Sequence, residues 1–215
     1  MNNKLTQNPC SKDWKTNNDI YENCKTPNGF NYESFYNRIN YVSPGIHLEA
    51  HGYYEVCMKY VQEGYKWLDV GCGSGLNFSQ SVKKGVDAYG IDIVDKSIEI
   101  ANKRGIKAFK CSACETYPFA DKYFDFLTAT VVLEHLLEED VSRALKEIYR
   151  VLKDGKYLLL ASCPEDSNNV RKIEDWKRHL HLTLKSKKEW LELYEEHNFV
   201  LVEDSVCHAF VLRKM

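Results

Sequence analysis

The sequence predicts a doubly wound α/β fold, and three features carry that prediction. Short apolar, strand-like runs alternate with amphipathic helical stretches, a pattern that builds a mostly parallel sheet covered on both faces. One run, Lys66-Trp67-Leu68-Asp69-Val70, breaks into Gly71-Cys72-Gly73-Ser74-Gly75, so a strand should end in a tight glycine turn ahead of a helix. The next apolar run, Ala88-Tyr89-Gly90-Ile91-Asp92, closes on an acid. Adjacent parallel strands bring their C-terminal ends side by side, so Asp69, the turn and Asp92 should line one crevice.

Each element has its own signature. Residues 1–30 are rich in Asn, Lys, Thr and Ser and read as a polar, flexible segment ahead of a single domain over 31–215. A helix from about Leu48 to Glu63 presents Tyr53, Val56, Cys57, Tyr60 and Val61 to the sheet, either as packing or as a lid on the crevice. Strands are expected at Lys66–Val70, Ala88–Asp92, Lys107–Lys110, Phe124–Thr130 and Tyr157–Cys163. Helices are expected near Leu76–Lys84, Lys96–Arg104, Asp140–Leu152 and Lys187–Glu196. In the third of these, Val141, Ala144, Leu145, Ile148, Val151 and Leu152 make a stripe of 3.6-residue period, and Gly155 stands where a terminating glycine belongs. Ser186 and Glu189 have the spacing of a capping box. The last two strands, Val200–Asp204 and Cys207–Arg213, are too close in sequence for a crossover helix and should form a hairpin.

Composition narrows the classes. With 215 residues, 44% of them hydrophobic, the chain can bury one good core. A net charge of −2 with both signs interspersed shows no electrostatic footprint for nucleic acid or an anionic membrane. No apolar run approaches the ~18 residues of a membrane span. The eight cysteines are scattered, which fits reduced thiols and a cytoplasmic location. Cys111 and Cys114 form a lone Cys-x-x-Cys without the second pair a zinc site needs.

The glycine spacing selects among ligands. A dinucleotide fingerprint places its third glycine one residue later, where Leu76 stands, and no lysine follows the turn until Lys83, as a phosphate loop would require. Asp69 at the mouth of the turn sits badly beside a pyrophosphate and well beside an ammonium group. Asp92 can accept both hydroxyls of a ribose. A nucleoside with a charged amino-acid tail fits both acids, and S-adenosylmethionine is such a molecule.

In order, Leu68 to Gly75, Gly90 to Asp92, Pro118-Phe119 through Phe124-Asp125, and Glu134-His135-Leu136 resemble the signature of class I S-adenosylmethionine-dependent methyltransferases of the small-molecule type. The likeness spans about Lys66 to Phe210. It implies a Rossmann-like, seven-stranded, mostly parallel sheet with an antiparallel C-terminal hairpin strand. It implies S-adenosylmethionine as cofactor and S-adenosylhomocysteine as product. Asp69, Gly71, Cys72, Gly73 and Gly75 would hold the methionine end, Asp92 the ribose, and Ile93 would flank the adenine. Where the family often has Asp-Ala-Glu, this chain has Ala113-Cys114-Glu115. Backbone groups of Ala113 and Cys114, or the Glu115 carboxylate, would replace the missing acid. Thr130 closes the fourth strand beside the same crevice. The acceptor would be an oxygen or nitrogen of a small molecule such as a sugar, a quinone-like compound or a natural product, with no nucleic-acid or membrane partner. The alternatives are an RNA or protein methyltransferase and a non-catalytic binding module.

An oxygen or nitrogen acceptor must lose a proton, and His135, just past the fourth strand, is the candidate base because neutral imidazole is available at physiological pH. His181 is the second candidate, from the cluster Trp176 to Leu182 ahead of the last helix, where related methyltransferases often carry a histidine. Either histidine would otherwise be a packing or surface residue. Glu134 and His135, with His179 or His181, could also gather around a divalent ion. Val131 stands where metal-dependent enzymes that methylate the terminal ribose of small RNAs carry a further glutamate, so no metal is expected.

Overall fold

The computed structural model describes residues 25–26, 29–38, 52–75, 78–162, 181–205 and 208–215. A two-stranded antiparallel ribbon, β1 (Lys25–Thr26) and β2 (Gly29–Phe30), precedes helix α1 (Tyr32–Arg38) and helix α2 (Tyr53–Cys57). The alternating core then runs β3 (Lys66–Val70), α3 (Ser79–Lys83), β4 (Asp87–Asp92), α4 (Asp95–Lys103), β5 (Lys107–Lys110) and β6 (Phe124–Thr130). A single 3₁₀ turn, Leu133–His135, leads into α5 (Glu138–Val151), followed by β7 (Leu152–Ala161), α6 (Lys187–Glu196), β8 (Phe199–Asp204) and β9 (Ala209–Lys214).

Seven strands form one sheet in the order β5-β4-β3-β6-β7-β9-β8. Pairing is parallel from β5 through β7, and antiparallel for β7 with β9 and for β9 with β8. The chain moves outward from β3 to β5, then returns to β6 on the other side of β3. That reversal opens a crevice at the C-terminal ends of β3 and β6.

Alternation along β3 divides the core. Leu68 and Val70 pack with α5 and with Trp190 and Tyr194 of α6 on one face. Trp67 packs on the other face with Phe78 and Phe126, both edge-on at centroid distances of 4.7 and 5.1 Å, and with Ala101 of α4. The apolar stripe of α5 is buried at Val141, Ala144, Leu145, Ile148 and Val151. The capping box of α6 is formed: the Glu189 amide donates to Ser186 Oγ at 3.3 Å, and the Ser186 amide donates to the Glu189 carboxylate at 2.7 Å.

Several expectations are corrected. β7 begins at Leu152, directly after α5, and Gly155 does not terminate the helix. Its φ of +70° serves a bulge, where Leu152 pairs with Phe124 and Tyr157 with Phe126, so the strand loops out between them. Helix α3 has five residues rather than nine. Within the N-terminal polar segment, Lys25–Thr26 and Gly29–Phe30 pair as the β1–β2 ribbon. Tyr53, Val56, Cys57 and Val61 are buried among Trp67, Phe78 and Val211, so this face packs the sheet rather than covering the crevice. Residues 1–24, the start proposed for the Leu48 helix, Cys163, the stretch Trp176 to Leu180 with His179, and Cys207 lie outside the described residues.

Candidate active site

The glycine turn takes its shape from backbone that other residues reach only at a cost. Gly71, Gly73 and Gly75 have φ of +70°, +52° and +64°. A Cβ on Gly71 would sit 2.4 Å from Val132 Cγ2, and one on Gly75 would sit 2.2 Å from Ile106 Cδ1. Gly90, beneath the turn on β4, would place a Cβ 2.5 Å from Cys72 Sγ. The turn therefore lies flat against β4, α4 and the segment after β6.

Its N–H groups are turned inward. The Gly71 and Cys72 amides donate to the Ile91 carbonyl at 2.9 and 3.0 Å, and the Gly75 amide donates to the Cys72 carbonyl at 3.0 Å. The Gly73 amide donates to Asp92 Oδ2 at 2.9 Å, while the Val94 amide donates to Asp92 Oδ1 at 2.9 Å. A phosphate would need these donors aimed outward. With them engaged, the turn offers carboxylates and carbonyls, the complement of a ligand that brings its own donors or positive charge.

Asp69 and Asp92 come from neighbouring parallel strands, Asp69 paired in register with Gly90 two residues before Asp92. Asp69 is buried and accepts a 2.7 Å hydrogen bond from Thr128 Oγ1, which in turn accepts one from Trp67 Nε1 at 3.0 Å. Burial pushes the Asp69 carboxyl up to about 7; the Thr128 hydroxyl opposes this, and the Asp92 charge adds to it. Burial also raises the Asp92 carboxyl, against the pull of the Val94, Gly73 and Ile93 amides. Two carboxylates thus share a desolvated edge, and each ionises more readily beside a cation. The Cys72 thiol, buried near both acids, is held well above its ordinary value and stays protonated.

Beyond Asp92 the sheet edge opens into a cavity of about 480 Å³, bordered by Ile93, Cys111, Ser112, Cys114, Glu115 and Tyr32 of α1, among others. Ile93 and Cys114 thus meet at one wall. The loop is fastened to Asp92, because the Cys111 amide donates to the Asp92 carbonyl at 3.0 Å. Ala113 does not border the cavity, and its carbonyl accepts the Tyr117 hydroxyl at 2.8 Å. Glu115 does border it, and accepts the Ser112 amide at 3.2 Å. Sequence reasoning missed Tyr32, whose hydroxyl donates to Asp140 Oδ2 at 2.5 Å and accepts the Leu137 amide at 2.9 Å. Nothing in its local pattern signals a partner 108 residues away.

On the other side of the turn, β6 ends at Thr130, which is buried and paired with Ala161. Val131 follows with φ of +57°, a strained value for a β-branched residue, its amide donating to the Ala161 carbonyl at 2.8 Å. This kink seats Val132 against Gly71 and starts the 3₁₀ turn carrying Glu134 and His135. The Glu134 carbonyl accepts the Leu182 and Thr183 amides at 2.7 and 3.1 Å, and Thr183 Oγ1 donates to the Leu136 carbonyl at 2.7 Å. His181 is thereby drawn to His135, with ring centroids 5.0 Å apart and planes at 72°. The two candidate histidines, 46 positions apart, meet next to the turn that carries the candidate cofactor residues.

Residues 68–160 match the family model described as a methyltransferase domain. An uncharacterized methyltransferase, YcgJ of Bacillus subtilis, is 32% identical over 147 residues, 60% of this chain and 55% of that protein. The ubiquinone biosynthesis O-methyltransferase of Idiomarina loihiensis is 32% identical over 43% of this chain and 40% of that protein. The probable tRNA methyltransferase 9B of Mus musculus is 33% identical over 48% of this chain and 23% of that protein. The chain thus spans little more than half the length of the first of these relatives, and less of the others. Among solved structures, a Haloferax volcanii methyltransferase in complex with the Trm112 activator superposes with a TM-score of 0.64 at 21% identity, covering 74% of this chain and 72% of that one. At that identity the likeness speaks for the fold. Over residues 68–160, less than half of its length, the chain is similar to S-adenosylmethionine-dependent methyltransferases. Among the described residues, no helix is long and apolar enough to cross a membrane.

Proposed function

We propose that this protein transfers the methyl group of S-adenosylmethionine to an oxygen or nitrogen of a small-molecule acceptor. One observation carries the reading: the glycine turn turns its amides inward and sets Asp69 and Asp92 at one desolvated edge, where a cationic amino-acid tail and a ribose find acceptors. In this reading Asp69, Gly71, Cys72, Gly73 and Gly75 shape the methionine end, Asp92 receives the ribose, and Ile93 with Cys114 borders the adenine. Thr130 anchors the strand end that aims the acceptor segment. The bound cofactor supplies a methyl activated by its sulfonium. The chain's part is to align the acceptor with that methyl, which by itself removes several kcal/mol of barrier. His135 or His181 then takes the acceptor's proton. The domain over 31–215 acts as one unit in this reading.

A second reading, an RNA acceptor, has one observation in its favour, the likeness to the mouse tRNA methyltransferase. The mixed surface charge and net −2 favour the small acceptor. Calorimetry with S-adenosylmethionine, followed by methyl-label transfer into separated small-molecule and macromolecular fractions of an extract, tests both. Binding with label in small molecules supports the proposal. Absence of binding at millimolar ligand ends it, and label confined to RNA or protein overturns the acceptor class.

A further inference from the structure

Beyond methyl transfer as such, the geometry points to a divalent transition-metal site formed by Glu134, His135 and His181. The three residues each bring one ligand atom, and these atoms lie within 4.8 Å of one another. One carboxylate and two imidazoles form a donor set that suits zinc, iron(II) or cobalt(II), and leaves coordination positions for water or an acceptor hydroxyl.

The ring geometry fits a shared ion. For an ion on both ring axes, with a metal–nitrogen distance of about 2.0–2.1 Å and a ring centre about 1.1 Å farther, centroids 5.0 Å apart would subtend about 105° at the metal, close to a tetrahedral angle. Ligand atoms around such an ion stand about 3.3 Å apart, so side-chain rotation must draw the set in by about 1.5 Å at most from the 4.8 Å span. The scaffold is built before any ion arrives. Three hydrogen bonds, from Leu182 and Thr183 to the Glu134 carbonyl and from Thr183 Oγ1 to Leu136, clamp the two ligand-bearing segments together. Glu134 is wholly buried and His181 nearly so, which confines the donors to an interior site rather than a solvated acidic patch. Such a clamp supplies the rigidity that a designed metal site needs.

The position gives the ion a task. Val132, two residues before Glu134, touches Gly71, so the ion would stand on the acceptor side of the glycine turn. A cation there would bind an acceptor oxygen and lower its pKa, so that the proton passes to water; with the ion bound this would take the place of the proton transfer to His135 or His181 that serves without it. This part rests on the methyltransferase reading and selects, within it, a hydroxyl-bearing acceptor.

The test uses the full chain, stripped with a chelator and dialysed, and titrated separately with zinc chloride and cobalt chloride by calorimetry and visible absorption. The expected result is one ion per chain with cobalt bands of low-symmetry, nitrogen-containing coordination. His181→Ala and Glu134→Gln should each weaken binding by at least tenfold, while His197→Ala, in the turn after α6, leaves it unchanged. Should Glu134→Gln fail to fold, His135→Ala replaces it in the comparison. Absence of stoichiometric uptake by the unaltered chain, or equal affinity in the site variants, overturns the inference. S-adenosylmethionine titrated into the stripped protein separates the two claims: its binding without metal uptake sinks only the metal site, and metal uptake without its binding sinks only the methyltransferase reading.

Discussion

The Asp69 carboxyl gives the protein a pH dependence whose sign and size follow from its surroundings. Its pKa in the folded chain is about 7, against 3.8 for the ordinary residue, mainly because burial opposes the charge. A carboxyl whose folded pKa is raised contributes stability that is complete below pH 3.8 and is lost as pH rises to about 7. Three units correspond to about 4 kcal/mol, of which about 3 kcal/mol falls between pH 5 and 8. Asp69→Asn removes this titration while keeping an oxygen that can accept the Thr128 hydroxyl.

Urea unfolding of the ligand-free protein and of Asp69→Asn, repeated at half-unit steps from pH 5 to 8.5, isolates the effect. All other titrating groups are common to both chains. The unaltered protein should lose stability relative to the variant as pH rises, with most of the change below pH 7 and a plateau above it. S-adenosylmethionine should flatten the curve, because its ammonium group favours the ionised carboxylate. A difference between the two chains that does not change with pH would refute the assignment of a desolvated, ligand-ready acid at this edge.

Other outcomes follow from the same geometry. Asp92→Ala removes the acceptor of the Gly73 and Val94 amides and should weaken S-adenosylmethionine binding at least about tenfold by calorimetry. Gly90→Ala drives a Cβ to 2.5 Å from Cys72 Sγ and should cost about 1–3 kcal/mol in urea unfolding as the turn lifts from β4. Tyr32→Phe leaves Asp140 and the Leu137 amide without their shared hydroxyl and should cost about 1–3 kcal/mol by the same measurement. His135→Ala should keep cofactor affinity within about twofold while methyl transfer falls about 10²–10⁴-fold in a label assay.

Much of the fold is legible in the sequence because its strands are set by local pattern. Lys66–Val70, Lys107–Lys110 and Phe124–Thr130 start and stop where hydrophobic runs meet turn residues. β7 begins earlier than its pattern because Lys153-Asp154-Gly155 resembles a helix terminus, whereas sheet pairing on both sides of the bulge keeps the segment extended. The placement of Asp69 and Asp92 at one sheet edge is also readable, since parallel strand order fixes which ends are adjacent. The cavity wall from α1 was not readable, because Tyr32 reaches α5 by side-chain bonds that leave no periodic trace.

The histidine pair shows why the far side of the glycine turn resists the same reading. His135 follows a strand end and can be placed by topology alone. His181 belongs to a segment of no regular structure, and its position depends on which carbonyl the Leu182 and Thr183 amides find. They find Glu134's, available because Val131 takes a left-handed conformation that interrupts β6 and turns the next residues into a 3₁₀ turn. A β-branched residue in that conformation costs of order 1–3 kcal/mol and persists only where the surroundings over-determine it. Here the Ala161 carbonyl holds its amide and Val132 fills the space above Gly71. The glycine turn and the kink are therefore one construction: Gly71 must lack a side chain for Val132 to seat, and Val132 must seat for Glu134, His135 and His181 to converge. Gly71→Ala should consequently disturb both halves at once, weakening S-adenosylmethionine binding and separating the histidine rings. Imidazole resonances of His135 and His181, followed by NMR in that variant, check the second effect; unchanged resonances alongside impaired cofactor binding would show the two halves to be independent.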